Sequence, residues 1–294
     1  MNGSARLAEL LNRDGIIVAP GVHDAITSKL AAEAGFEACY ISGSGISTAL
    51  TGFPDVGMVT STEMAKAVQY INDAVPGMPL MVDGDTGHGS ALNAMRYVHE
   101  LERAGAAAVH IEDQEFPKRC GHLDGKTLVP VDEMVGKVRA AVEARSDPNF
   151  QIIARCDAKA VEGLDAAIER MKRYADAGAD IIFPEALQSE EEFRAVAKVI
   201  ERPLFANMTE FGKTPYITTR QFEEWGFKIV IFPVTALRIA NHAVLEFFKW
   251  LRESGTQEPH LDRMLTRQHL YEIIDYPKYQ AYQDSFAPSA DPVP

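Results

Sequence analysis

The stretch Ile111 to His122, IEDQEFPKRCGH, sets an acidic pair, Glu112 and Asp113, ahead of a thiol, Cys120, with Lys118, Arg119, Gly121 and His122 around it. Fixed positive charge beside a thiol lowers its pKa and favours thiolate, and a glycine at its shoulder lets the backbone move. The pattern predicts a reactive cysteine on a mobile loop. Cys39 and Cys156 lie in apolar runs and are expected to be small buried hydrophobes. A zinc site built on Cys120, His122 and His110 lacks the paired Cys-x-x-Cys or His-x-x-x-His spacing such sites use.

A second group is VDGDTGHG, Val82 to Gly89. Asp83 and Asp85 stand two residues apart beyond an apolar run, a spacing that in extended backbone turns both carboxylates the same way. Together they suit a hard divalent cation held by few carboxylates, several waters and the substrate's own oxygens. Mg2+ is the expected ion, with Mn2+ as a substitute. The glycines of this stretch match no phosphate-cradling pattern, and no lysine follows them.

The elements that must position these groups are legible as eight short apolar runs: GIIVAPG, ACYISGSG, PLMVDGD, AAVHIED, QIIARCD, ADIIFPE, PLFANMTE and KIVIFP. Such runs suit strands buried on both faces, and the segments between them, such as GLDAAIERMKRYADAGA, read as amphipathic helices. Eight strand–helix alternations predict an α/β fold of the (β/α)8 barrel type, whose active site lies at the carboxyl ends of the strands. The residues at those ends are His23, Asp24, Ser42, Gly43, Asp83, Asp85, Glu112, Asp113, Arg155, Asp157, Glu185, Asn207 and Thr209. Solvent alone explains any one polar strand end; it does not explain seven.

Two further helical stretches follow, ALRIANHAVLEFFKWLRESG and LDRMLTRQHLYEIIDY. The chain therefore reads as a single domain over 1–294, with a C-terminal helical extension at about 236–276 and a flexible tail at 285–294. A length of 294 residues with 46% hydrophobic content is enough for a large core. The net charge of −13 argues against a nucleic acid or an anionic membrane surface as partner and leaves a small molecule. No apolar run approaches the ~20 residues needed to span a bilayer. Three cysteines and an N-terminus without a basic, apolar leader point to a reducing cytoplasm.

KRCGH, joined in order by APGVHDA, SGSG, DGDTGHG, IEDQ, ARCDA, FPEA, NMTEFGKTP and TRQHLYE, resembles the isocitrate lyase and phosphoenolpyruvate mutase superfamily, and within it the methylisocitrate-cleaving branch. The resemblance runs from about Val18 to Tyr276. It implies that Asp83 and Asp85 hold Mg2+, with Asp55 assisting through water and Glu112 close to the metal and its waters. Ser42, Gly43, Ser44 and Arg155 would grip the pyruvate half of the substrate, Cys120 would be the catalytic acid, and Glu185 would orient Arg155 or the substrate. Gly121, His122, Asn207 and Thr209 would bind the succinate half, with Arg238 and Arg267 completing a carboxylate pocket. It further implies C-terminal helices exchanged between subunits of a homotetramer, and a place in propionate catabolism through the 2-methylcitrate cycle.

The implied reaction is cleavage of 2-methylisocitrate, a 2-hydroxy tricarboxylate, to pyruvate and succinate. A lyase for a smaller dicarboxylate such as 2,3-dimethylmalate is the alternative within the family. A carbon–phosphorus mutase does not call for this thiol, and a noncatalytic metabolite-binding scaffold gains nothing from a metal, an acid and an anion clamp together. Two residues depart from the family pattern, Cys156 where Thr or Ser is usual and His88 where an aromatic residue is common. Both are expected to reshape the pyruvate-side pocket.

Overall fold

The computed structural model describes residues 1–287; residues 288–294, most of the stretch expected to form a flexible tail, lie outside them. Each of the eight apolar runs forms a strand: β1 Ile17–Val22, β2 Cys39–Ile41, β3 Leu80–Asp83, β4 Ala108–Glu112, β5 Gln151–Cys156, β6 Ile181–Pro184, β7 Phe205–Asn207 and β8 Ile229–Phe232. They pair in parallel in the order β6-β5-β4-β3-β2-β1-β8-β7. A lone bridge between Ile182 and Leu204 joins the two outer strands, so the sheet is a nearly closed (β/α)8 barrel, as the alternation of runs predicts.

Side-chain alternation along the strands sorts the apolar residues into two cores. Tyr40, Met81, Ile153, Phe183, Phe205 and Ile231 point into the barrel lumen and pack together. Their strand neighbours, among them Ile41, Val82, Ile111, Ile152 and Ala154, point outward and meet the surrounding helices. The helix Leu164–Asp176 shows how a helix meets them: its buried Ala167, Met171 and Tyr174 recur three or four residues apart, on one face. The lower end of the lumen is filled by the N-terminal helix Gly3–Asn12, whose Leu7 and Leu10 join Ala38 and Ala107, the residues just ahead of β2 and β4. With its floor packed, the barrel gathers the buried polar side chains Asp83, Glu112 and Arg155 at the carboxyl ends of its strands.

The chain divides into two compact units, one from Met1 to Ala240 and one beginning at Asn241. The first contains the whole barrel. The helix Thr235–Ser254 buries only Leu237 and exposes Ile239, Leu245 and Phe248. After it come the helices Arg267–Ile273 and Tyr276–Ser285. Among the described residues no helix is long and apolar enough to cross a membrane.

Candidate active site

Register builds the site. Asp83 pairs with His110, Glu112 with Arg155, and Arg155 with Phe183, so β3 to β6 present Asp83, Glu112 and Arg155 inward at the upper rim. Asp83 Oδ2 accepts the Gly43 backbone N–H at 3.0 Å, and its Oδ1 accepts that of Asp85 at 3.0 Å. A Cβ at Gly43 would lie 2.9 Å from Asp83 Oδ2, closer than a carbon atom can settle, so glycine is what lets the chain approach that carboxylate. The Lys118 ammonium sits among them, in contact with Asp55 and 2.8 Å from Asp85 Oδ1.

Four carboxylates, those of Asp55, Asp83, Asp85 and Glu112, surround this ammonium. Burial works against charge on Lys118, but Asp85, Glu112, Asp83 and Asp55 together hold its pKa well above the ordinary lysine value. Burial pushes Asp85 up to about 6 against the pull of Lys118, and pushes Glu112 well above the usual carboxylate range. For Asp83, burial is outweighed by His110, Lys118 and Arg155, and its pKa is lowered. Both oxygens of Glu112 are buried and accept no hydrogen bond. Buried acceptors without donors, in a nest carrying more carboxylates than cations, fit a hard divalent ion. Among the described residues no three His, Cys, Asp or Glu side chains converge as a ready-made ligand set. An ion held there would need water and substrate oxygens to complete its shell.

Beside the nest lies Arg155. Asp157 accepts from Nε at 2.8 Å and from Nη2 at 3.1 Å, while Glu112 and Glu185 stand 3.3 and 3.6 Å from Nε. The face of Phe183 backs the guanidinium at 5.4 Å. Glu185 is pulled down to about 2, since Arg155 and His122 outweigh its burial. It contacts His122 Nε2 at 2.8 Å and accepts weak bonds from Asn207 Nδ2 at 3.3 and 3.4 Å. His122 Nδ1 accepts the Lys213 backbone N–H at 3.0 Å, which leaves the ring proton on Nε2, facing Glu185.

The Cys120–His122 segment thus lies over Arg155 and Glu185. Lys126 pins it from behind by donating to the carbonyls of Gly121 and Leu123. Cys120, Gly121, His122, Ser42, Ser44 and Asp83 line one pocket. Its other walls include Asp55, Arg155, Glu185, Asn207, Thr209 and Arg238. Gly43, Asp85 and Glu112 lie behind the wall, in contact with residues that line it.

Three expectations fail. The cations beside Cys120 do not lower its pKa: Lys118 turns into the carboxylate nest, and Arg119 is exposed, reaching the Asp124 carbonyl. Instead, although the residue keeps exposed surface, partial desolvation by the groups around it raises the thiol above its ordinary value, with Glu185 and Asp55 adding to the effect and the His122 backbone and Arg155 opposing it. Cys156 points outward, away from the pocket, because Arg155 before it points in; its sulfur lies 3.8 Å from the Ala167 carbonyl oxygen. His88 does not line the pocket and packs edge-on against Tyr97 at 4.5 Å. Arg267 is exposed at the start of the helix Arg267–Ile273 in the second unit. Asp24, also at a strand end, caps the helix Ala25–Glu33.

Sequence reasoning missed Tyr40 and the placement of Lys118. Tyr40 lines the pocket, and its hydroxyl lies 2.7 Å from His110 Nε2. Burial pulls His110 down to about 4, so the ring is neutral at pH 7. The signal for Tyr40 was available: it stands two residues before Ser42, on the same face of the strand.

Known proteins resemble the chain over nearly its whole length. The family model described as phosphoenolpyruvate phosphomutase matches residues 7–251. The chain is 52% identical to a 2-methylisocitrate lyase of Aeropyrum pernix, over 93% of this chain and 88% of that one. It is 40% identical to a 2,3-dimethylmalate lyase of Eubacterium barkeri, over 98% and 99% respectively. Its fold superposes on a crystal structure of 2,3-dimethylmalate lyase with a TM-score of 0.92 at 36% identity, covering 99% of this chain and 97% of that one. A phosphonopyruvate hydrolase solved with oxalate and Mg2+ superposes with a TM-score of 0.86 at 30% identity, covering 97% and 99%.

Proposed function

We propose, because the chain belongs to the phosphoenolpyruvate phosphomutase family, that it is a carbon–carbon lyase cleaving 2-methylisocitrate to pyruvate and succinate. The observation that carries this reading is the meeting, in one pocket, of the Cys120 thiol, a buried guanidinium and an acidic nest suited to a divalent cation. Asp83 and Asp85 would hold Mg2+, or Mn2+ in its place, with Asp55 and Glu112 nearby. That ion supplies Lewis-acid polarisation of the substrate's hydroxyl and carboxylate oxygens.

The chain's own residues account for the remainder. Ser42, Ser44 and Arg155 bind the half that leaves as pyruvate, and the fixed charge of Arg155 holds its carboxylate. Breaking the bond between the hydroxyl-bearing carbon and its neighbour returns the electron pair to the succinate half. The hydroxyl gives up its proton, Cys120 delivers one to the carbanion, and the thiolate left behind takes a proton back from solvent, so the cycle neither gains nor loses a proton. A thiol raised by burial is protonated at neutral pH, as a donor must be. His122, Asn207 and Thr209 orient the succinate half, and the seated segment excludes water that would otherwise compete as proton donor.

A second reading, a lyase for 2,3-dimethylmalate, is favoured by the 40% identical relative with that activity. Arg238 supports the tricarboxylate instead: it lines the pocket, where its nearest carboxylate is Glu210 at 3.6 Å, and it can meet a third carboxylate. The test is kcat/KM for 2-methylisocitrate, isocitrate and 2,3-dimethylmalate, with excess chelator as a control. The expected order is the order given, with turnover abolished by the chelator. Fastest turnover of 2,3-dimethylmalate, or full activity in chelator with no metal in the protein, would overturn the reading. The exposed Ile239, Leu245 and Phe248 also support a homotetramer in which other copies cover this helix; a monomeric mass at micromolar concentration would contradict that.

A further inference from the structure

Arg155 faces three carboxylates, yet only one of them forms a fork with it. Asp157 takes Nε and Nη2 at 2.8 and 3.1 Å, whereas the closest approaches of Glu112 and Glu185, 3.3 and 3.6 Å from Nε, form no hydrogen bond. A guanidinium carries five N–H donors in a rigid plane, and a bidentate carboxylate on one edge fixes that plane while leaving the other edge free. Asp157 is buried and does not line the pocket, so it reaches a substrate only through Arg155.

Asp157 is itself held. Its backbone N–H donates to Asp113 Oδ1 at 2.8 Å, and Asp113 Oδ2 accepts the Tyr174 hydroxyl at 2.8 Å. Arg170 Nη1 donates to that hydroxyl at 3.2 Å and to the Val129 carbonyl at 3.0 Å. The Val129 N–H in turn donates to the Asp113 carbonyl at 3.0 Å. Asp113 and Val129 are the two roots of the segment that carries Cys120. One buried network therefore sets the plane of the guanidinium and the footing of the thiol.

We infer that Asp157 is a positioning residue: backed by Asp113 and Tyr174, it orients Arg155 so that the free edge of the guanidinium grips the oxo-acid half of the substrate. This rests on the lyase reading. Asp157→Asn keeps the volume and one acceptor but loses the charged fork. Inhibition by the two products separates positioning from general damage, because Arg155 grips only one of them. In Asp157→Asn the Ki for pyruvate should rise about tenfold to a hundredfold, the span of one lost charge-assisted contact, while the Ki for succinate stays within about twofold of the parent.

Tyr174→Phe, which removes only the hydroxyl beneath Asp113, should shift the pyruvate Ki in the same direction by a few-fold. It also provides the test if Asp157→Asn does not fold. An unchanged pyruvate Ki in the variant measured, or equal weakening of both products, would overturn the assignment. A parent enzyme that releases no pyruvate from 2-methylisocitrate would instead overturn the lyase reading on which it rests.

Discussion

Gly121→Ala tests whether the seated Cys120 segment is the reactive arrangement. An alanine Cβ there would lie 2.4 Å from Glu185 Cγ and 2.6 Å from Arg155 Nη2. Packed carbon atoms settle ~3.5–4.0 Å apart, so something must move by about an ångström. Neither partner yields readily: Glu185 is 1% exposed and held by His122 and Asn207, and Arg155 is forked by Asp157. The segment carrying Cys120 has exposed surface and is the softer side, so it should lift. Gly121 is not among the residues with positive φ, so its backbone accepts alanine and the effect is one of packing alone. Overpacking of this kind costs about 1–3 kcal/mol, and displacing a reacting group by an ångström costs about a hundredfold in rate. The assay is pyruvate release under saturating substrate, beside a thermal melt. We expect kcat to fall about a hundredfold with a nearly unchanged melting temperature, because the overlap is relieved locally. Gly136→Ala is the control: a Cβ there meets nothing within 4 Å, and it should stabilise its helix by ~0.5–1 kcal/mol with kcat unchanged. Parent-like kcat in Gly121→Ala would refute the reasoning.

Burial raises Cys120 above the ordinary thiol value, so its alkylation by iodoacetamide should reach half-maximal rate above pH ~8.5, and kcat should fall as pH rises through the same value and the acid form is lost. Cys39, pushed up to about 12, and buried Cys156 should stay silent in that experiment; a midpoint at or below ~8.5 would contradict the burial argument. Arg238→Ala should lower kcat/KM for 2-methylisocitrate about tenfold and leave 2,3-dimethylmalate nearly unaffected, since only the former offers a third carboxylate; equal losses would exclude that role. Leu7→Ala, in the floor of the lumen, should cost ~2–5 kcal/mol in denaturant unfolding while kcat holds, and a loss under 1 kcal/mol would mean that the N-terminal helix does not seal the barrel.

The barrel was legible because strands buried on both faces leave unbroken apolar runs, and all eight runs form strands. The carboxylate pair and the thiol were legible because their residue types are rare together. What failed was inference from adjacency in sequence. Lys118 and Arg119 are neighbours of Cys120 in the chain, yet one turns inward to Asp55, 63 residues away in sequence, and the other outward to solvent. Cys156 is the small buried hydrophobe that its apolar run suggests, and it does not reshape the pocket because alternation decides its direction: with Arg155 facing the lumen, the next side chain must face the helices. The Asp157 fork was visible as an Arg-x-Asp spacing but had no meaning until Asp113 and Tyr174 were seen beneath it.

The central claim is that Cys120 gives the proton that completes carbon–carbon cleavage. Its most direct test is NMR of the products formed from 2-methylisocitrate in deuterated water with Mg2+. The expected result is pyruvate and succinate in equal amounts, each succinate carrying one deuterium at the carbon released by cleavage, and loss of both products in a folded Cys120→Ser variant. Undiminished, singly deuterated succinate from Cys120→Ser, or no pyruvate from the parent enzyme, would contradict it.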